Sequence, residues 1–196
     1  MTDKLMARTG NLRVPPAVRT AAISAAVWAL AFAGLNLWVQ AVAVRGHAAL
    51  RDYVAGLAVL NGIAVVMKVT GAAVVLRAVA PLSRCTARQV TIIATTASVA
   101  LAVWGAVALG VLLANGSMTA NVPLAEGVVH VVGWTYPAFF LVGALTFGVP
   151  AWWASRHCAH RWRWLLGAGI VGPLVVVGTL GAVSVVLRLL GLLPPG

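Results

Sequence analysis

Apolar residues in this chain gather into five long runs separated by short polar or basic segments, at residues 21–44, 53–76, 91–113, 124–153 and 164–187. Each run reaches or exceeds the roughly 20 apolar residues that a helix needs to cross a bilayer core. Inside hydrocarbon every backbone N–H and C=O must find its partner within the protein, so such runs predict helices. The expected fold is all-α: an integral membrane bundle of five transmembrane helices. It forms a single domain over residues 21–193, preceded by a basic segment at 1–20.

Composition supports the same expectation. Of the 196 residues, 62% are apolar and only 9% charged, with a mean hydropathy of +1.00. A soluble domain carries about 25% charged residues, enough to cover a water-facing surface. The basic start and Ala41-Val42-Ala43 resemble the ends of a cleaved signal peptide. The apolar stretch of such peptides is only about 7–15 residues long, however, so a retained first span is expected.

Charge then sets orientation. The formal net charge is +11, from 14 Lys+Arg against 3 Asp+Glu. With the N-terminus inside, cytoplasmic segments hold Lys4, Arg8, Arg13, Arg19, Arg77, Arg84, Arg88, Arg156, Arg161 and Arg163. Outside segments hold Arg45, Arg51 and Arg188. Ten against three predicts a cytoplasmic N-terminus and an outside C-terminus in a multi-pass cell-membrane protein. Charges in short clusters between apolar runs do not form the basic soluble face that nucleic acid requires, so no nucleic-acid partner is expected. Trp38, Trp152, Trp153, Trp162 and Trp164 lie near span ends, where amphipathic rings sit at headgroup level. The basic, aromatic stretch 156–164 belongs to that belt and suits anionic headgroups.

Polar groups inside spans are the candidate functional residues, because placing them in lipid costs energy. Asn36 and Gln40 are four apart in the first run, Asn61 and Lys68 seven apart in the second, and Glu126 and His130 four apart in the fourth, so each pair shares a helix face. By helical rise, Asn36 and Asn61 lie roughly 12 Å from the outer ends of their spans and His130 roughly 9 Å. Glu126 is near the rim. These groups form one outer layer, a candidate ligand pocket if the first, second and fourth helices are neighbours. The alternatives are hydrogen-bonded packing for the Asn and Gln residues and helix capping for Glu126.

Lys68 lies lower, roughly 22 Å from the outer end, too far from Glu126 for a direct ion pair. Its long stem is expected to snorkel toward the cytoplasmic interface; a buried functional lysine is the alternative.

Other chemistry is sparse. Cys85, His157, Cys158 and His160 give the ligand count of structural zinc without its spacing, so no metal is expected. His130 is the one intramembrane histidine, which excludes a two-histidine haem within one chain; no cofactor is expected. No nucleophile elbow, phosphate loop or His-Glu-x-x-His motif is present. Small residues four apart, Ala106/Gly110, Ala144/Gly148 and Ala168/Gly172, predict close helix approach in the last three spans. Pro137 and Pro173 predict local bends rather than broken helices.

Two stretches carry a family resemblance: Trp28-Ala29-Leu30-Ala31-Phe32-Ala33 in the first span, and Phe139-Phe140-Leu141-Val142-Gly143-Ala144-Leu145-Thr146-Phe147 leading to Trp152 in the fourth. With the spacing of the runs, they resemble a family of small uncharacterised multi-spanning membrane proteins of high-GC bacteria. That family's Tyr-Trp and Gly-Gly features at the end of the first span are replaced here by Leu37-Trp38-Val39-Gln40. The resemblance implies a multi-span fold and carries no active-site residues.

The expected role is non-enzymatic: binding, or service as an accessory component, with the lipid bilayer and a partner membrane protein or a second copy as partners. Two alternatives compete with it. One is a small transporter or export subunit using the outer polar layer and Lys68. The other is a membrane-embedded enzyme on an apolar substrate, with Glu126 as general acid assisted by His130.

Overall fold

The structure is a computed structural model. It describes residues 13–46, 53–115 and 126–193, with side chains at all of these except 39, 42–46, 115 and 126–133. The helices are α1 Pro16–Gly46, α2 Val54–Leu76, α3 Arg84–Asn115, α4 Glu126–Ser155 and α5 Arg161–Leu189, with a 3-10 turn, Arg77–Val79, between α2 and α3. No strand occurs among the described residues. All five helices are long and apolar enough to cross a membrane.

The helices outrun the apolar stretches at several ends, and local chemistry explains where they start. Pro16 opens α1, where the N–H it lacks would have no helical partner. α3 begins seven residues before its apolar run. There the Ser83 hydroxyl accepts the Thr86 N–H at 3.2 Å and caps the helix. α4 continues as one helix through Pro137 and Pro150, and α5 through Pro173.

In space the helices follow the order α2, α1, α4, α3, α5. α3 packs along α4 and α5, while α1 joins α2 to α4. α2 rests mainly on α1 and touches α3 and α5 less. At the basic end, Val14, Val18 and Ala22 pack with Leu82, Ala87, Val90 and Ala154 in one buried cluster. Elsewhere large apolar side chains face outward, among them Leu166, Ile170, Leu174 and Val177 of α5.

Small residues bring the helices close, and hydroxyls fix the contacts. Ser98 of α3 donates to the Ala144 carbonyl of α4 at 2.7 Å, across the gap left by Gly148. Thr96 of α3 donates to the Ala168 carbonyl of α5 at 3.1 Å; a methyl group added at Gly172 would overlap the Thr96 side chain. Two of the three expected small-residue pairs therefore lie at helix contacts. The third does not: Ala106 and Gly110 are exposed. At that level α3 turns Gly105, Ala108 and Leu112 inward instead.

A seam of aromatic rings joins α1 to α4. Trp28 stacks on Phe139 with ring centroids 4.7 Å apart, and its Nε1 donates to the Phe139 carbonyl at 3.1 Å. Phe32 meets Phe139 and Phe140 edge to face at 5.3 and 5.4 Å. Gly143 makes this possible, since an added Cβ would lie 2.7 Å from the Trp28 ring. Residues 28–32 of α1 and 139–147 of α4 are thus packed against each other.

Candidate functional site

Two of the residues expected in one polar layer, Asn36 and Asn61, are in contact. Asn61 Nδ2 of α2 donates to the backbone carbonyl of Asn36 in α1 at 2.9 Å, which places the two residues level, as helical rise predicts. Gln40, one turn further along α1, is half-buried, and its Nε2 is buried without a hydrogen-bond partner. Glu126 and His130 belong to α4, but their side chains lie outside those described.

The Asn61–Asn36 bond also fixes the register between these antiparallel helices. Lys68 lies seven residues beyond Asn61, so its Cα is level with Ala29, seven before Asn36. The lysine departs from the snorkelling expectation. Its Nζ sits 3.7 Å from the centroid of the Phe32 ring instead of extending toward the Arg77 end of α2. Helical geometry favours this outcome: side chains lean toward the N-terminus of their helix, which for α2 is the Asn61 side. The Phe32 ring face then offers its negative quadrupole to the ammonium.

Beside Lys68 is an open-sided cavity of about 450 Å³. α1 contributes Trp28, Ala29 and Phe32, α3 contributes Ile93, Thr96 and Ala97, and Phe147 reaches in from α4. Val176 and Leu180 of α5 complete the wall. The volume falls within the roughly 300–1,000 Å³ of small-molecule sites, which are likewise mostly apolar with a few polar groups. Exposed Val66 and Met67 mark its flank on α2, where that helix packs little against α5. The cavity exists because its walls are built from small side chains: Ala64 and Gly71 beside Lys68, and Thr96, Ala97 and Ala100 along α3. Neither Asn36 nor Asn61 lines it.

Lys68 has no acidic neighbour among the described side chains. Asp3 and Asp52 lie outside the described residues. Glu126 opens α4 thirteen residues before Phe139, about 20 Å along the helix from the ring that stacks on Trp28. A second groove of about 530 Å³ follows the α3–α4 seam from Ala102 to Trp152 and Arg156. Its one polar side chain below the rim, Ser98, is already bonded to the Ala144 carbonyl.

Lys68 stands out in the sequence as a charge within an apolar run, whereas its surroundings do not. The signal was available: Ile93, Thr96, Ala97 and Ala100 recur at three and four residues, a helix face with little bulk.

The basic end is a second ordered feature. Arg88 of α3 lies 3.8 Å over the Trp164 ring of α5. Arg156 and Arg161 both face Trp152, and Trp152 meets Trp162 edge to face at 6.1 Å. The link between α2 and α3 and the link between α4 and α5 therefore share one end of the bundle. Among the described residues, no three His, Cys, Asp or Glu side chains gather in a way that would hold a metal ion.

The fold and cavity together define a class: an all-α chain of five helices long and apolar enough to cross a membrane, with a lysine-bearing apolar cavity between them. No protein-family model, curated protein or solved structure matches the chain.

Proposed function

We propose that this chain is a multi-pass cell-membrane protein that acts by binding, without catalysis, and that its ligand is an apolar molecule taken from the bilayer into the Lys68 cavity. The carrying observation is the cavity itself: about 450 Å³ of apolar space around a lysine, flanked by exposed Val66 and Met67. A lysine placed in a span costs energy, so its presence in a roomy site favours a role in recognition. Orientation follows the ten-to-three charge asymmetry, with the N-terminus inside and the C-terminus outside. The shared basic, tryptophan-rich end supports this, since Arg88, Arg156 and Arg161 all lie there on indole rings. The general-acid alternative draws no support from the cavity, because Glu126 starts α4 about 20 Å from its level.

Mass spectrometry of the intact protein, released from its membrane in mild detergent, tests the binding role. A small-molecule adduct on the wild type that is lost on filling the cavity with Ala64→Phe and Ala100→Phe supports it. Identical adducts on both proteins contradict it.

A further inference from the structure

The binding role leaves the ligand's polar end unspecified, and the cavity's electrostatics supply it. Lys68 is the one charged side chain among the cavity's lining residues. The ring of Phe32 is the only partner its ammonium has among the described groups, and a ring face is a weaker partner for a cation than a directly bonded anion. A cation in a low-dielectric site gains most from an anion that bonds to it directly. We propose that the cavity binds a long-chain carboxylic acid, its carboxylate paired with Lys68 Nζ and its chain lying along Phe32, Ile93 and Leu101. This inference rests on the binding role proposed above.

Three observations select a carboxylate from among anionic heads. The first is charge balance: one lysine neutralises one negative charge, whereas a phosphate monoester carries about 1.5–2 near neutral pH. The second is the scarcity of other polar groups. Besides Lys68 the lining has two polar side chains, Thr70 and Thr96, and the Thr96 hydroxyl is committed to the Ala168 carbonyl, so the ester and glycerol oxygens of a phospholipid would find few partners. The third is depth. Lys68 lies eight residues from the end of α2, about 12 Å along the axis, below the level of headgroups anchored at the interface. A carboxylic acid sheds its charge on taking up one proton and so reaches this depth as a neutral molecule, and that proton passes to the amine form of Lys68 to give the carboxylate–ammonium pair.

Competition in lipid nanodiscs tests this. A diazirine-bearing fatty acid is photolysed with the wild-type protein, and labelling of Met67, Ile93 and Ala97 is competed with palmitate, hexadecanol or hexadecyl phosphate. Palmitate is expected to compete at least about tenfold better than hexadecanol, the lower end for a charge-assisted bond. Hexadecyl phosphate should compete less well than palmitate. Lys68→Met should bring palmitate and hexadecanol within about twofold, and Lys68→Arg should keep most of the difference, since it retains the charge. Equal competition by palmitate and hexadecanol on the wild type overturns the carboxylate while leaving apolar binding intact. Equal or better competition by hexadecyl phosphate overturns the choice of head. Absence of labelling at all three positions removes the binding role as well. The wild-type comparison decides the matter even where a Lys68 variant fails to fold.

Discussion

Lys68 Nζ lies 3.7 Å from the centre of the Phe32 ring, so this half-buried cation rests on an aromatic face of the neighbouring helix. This contact separates two roles for the lysine. A structural lysine holds α1 and α2 together; a recognition lysine is kept in place at a cost to stability.

The recognition role predicts that Lys68→Met stabilises the protein. Lysine at the centre of a span costs about 2.5–3.5 kcal/mol by insertion scales, and the ring contact returns about 0.5–2 kcal/mol. A net gain of about 0.5–3 kcal/mol is expected, read as a higher midpoint of thermal unfolding in detergent. A loss of similar size would make Lys68 a structural residue.

Gly143→Ala is expected to destabilise by about 1–3 kcal/mol, the usual cost of overpacking. The added Cβ would lie 2.7 Å from the Trp28 ring, which is held between Phe139 and Gly143 by stacking and by its bond to the Phe139 carbonyl. Trp28→Leu in the same background should recover part of the loss. Unchanged stability in Gly143→Ala would mean that the seam is loosely packed.

Asn61→Leu removes the bond to the Asn36 carbonyl. Interhelical hydrogen bonds in lipid average about 0.6 kcal/mol and reach about 1.7, so a small loss in that range is expected in chemical unfolding. The Lys68 cavity should be unaffected, because neither asparagine lines it. Loss of ligand binding in Asn61→Leu would instead join the outer layer to the site.

How much of this was legible in the sequence depended on the scale of the feature. Five apolar runs announced five helices, and helical rise alone placed Asn36 level with Asn61. The starts of α1 and α3 were not visible in the apolar pattern, because Pro16 and Ser83 begin helices in polar sequence where hydropathy is silent. Lys68 stood out as a charge, but its direction did not: the choice between the Arg77 end and Phe32 depends on a ring contributed by another helix. The aromatic seam was missed for the same reason. Trp28 and Phe139 are 111 residues apart, and nothing local to either names the other as partner. The expected contact at Ala106/Gly110 failed because spacing identifies a face without saying whether a neighbour covers it.

Uptake of an apolar molecule from the bilayer into the space around Lys68 is tested most directly by carbene photolabelling. A hydrocarbon probe that partitions into lipid is photolysed with the protein in nanodiscs, and the adducts are mapped to residues. Adducts are expected on Ile93 and Ala97, inside the cavity, as well as on outward-facing Leu174 and Val177. Adducts confined to Leu174, Val177 and other outward positions would contradict it.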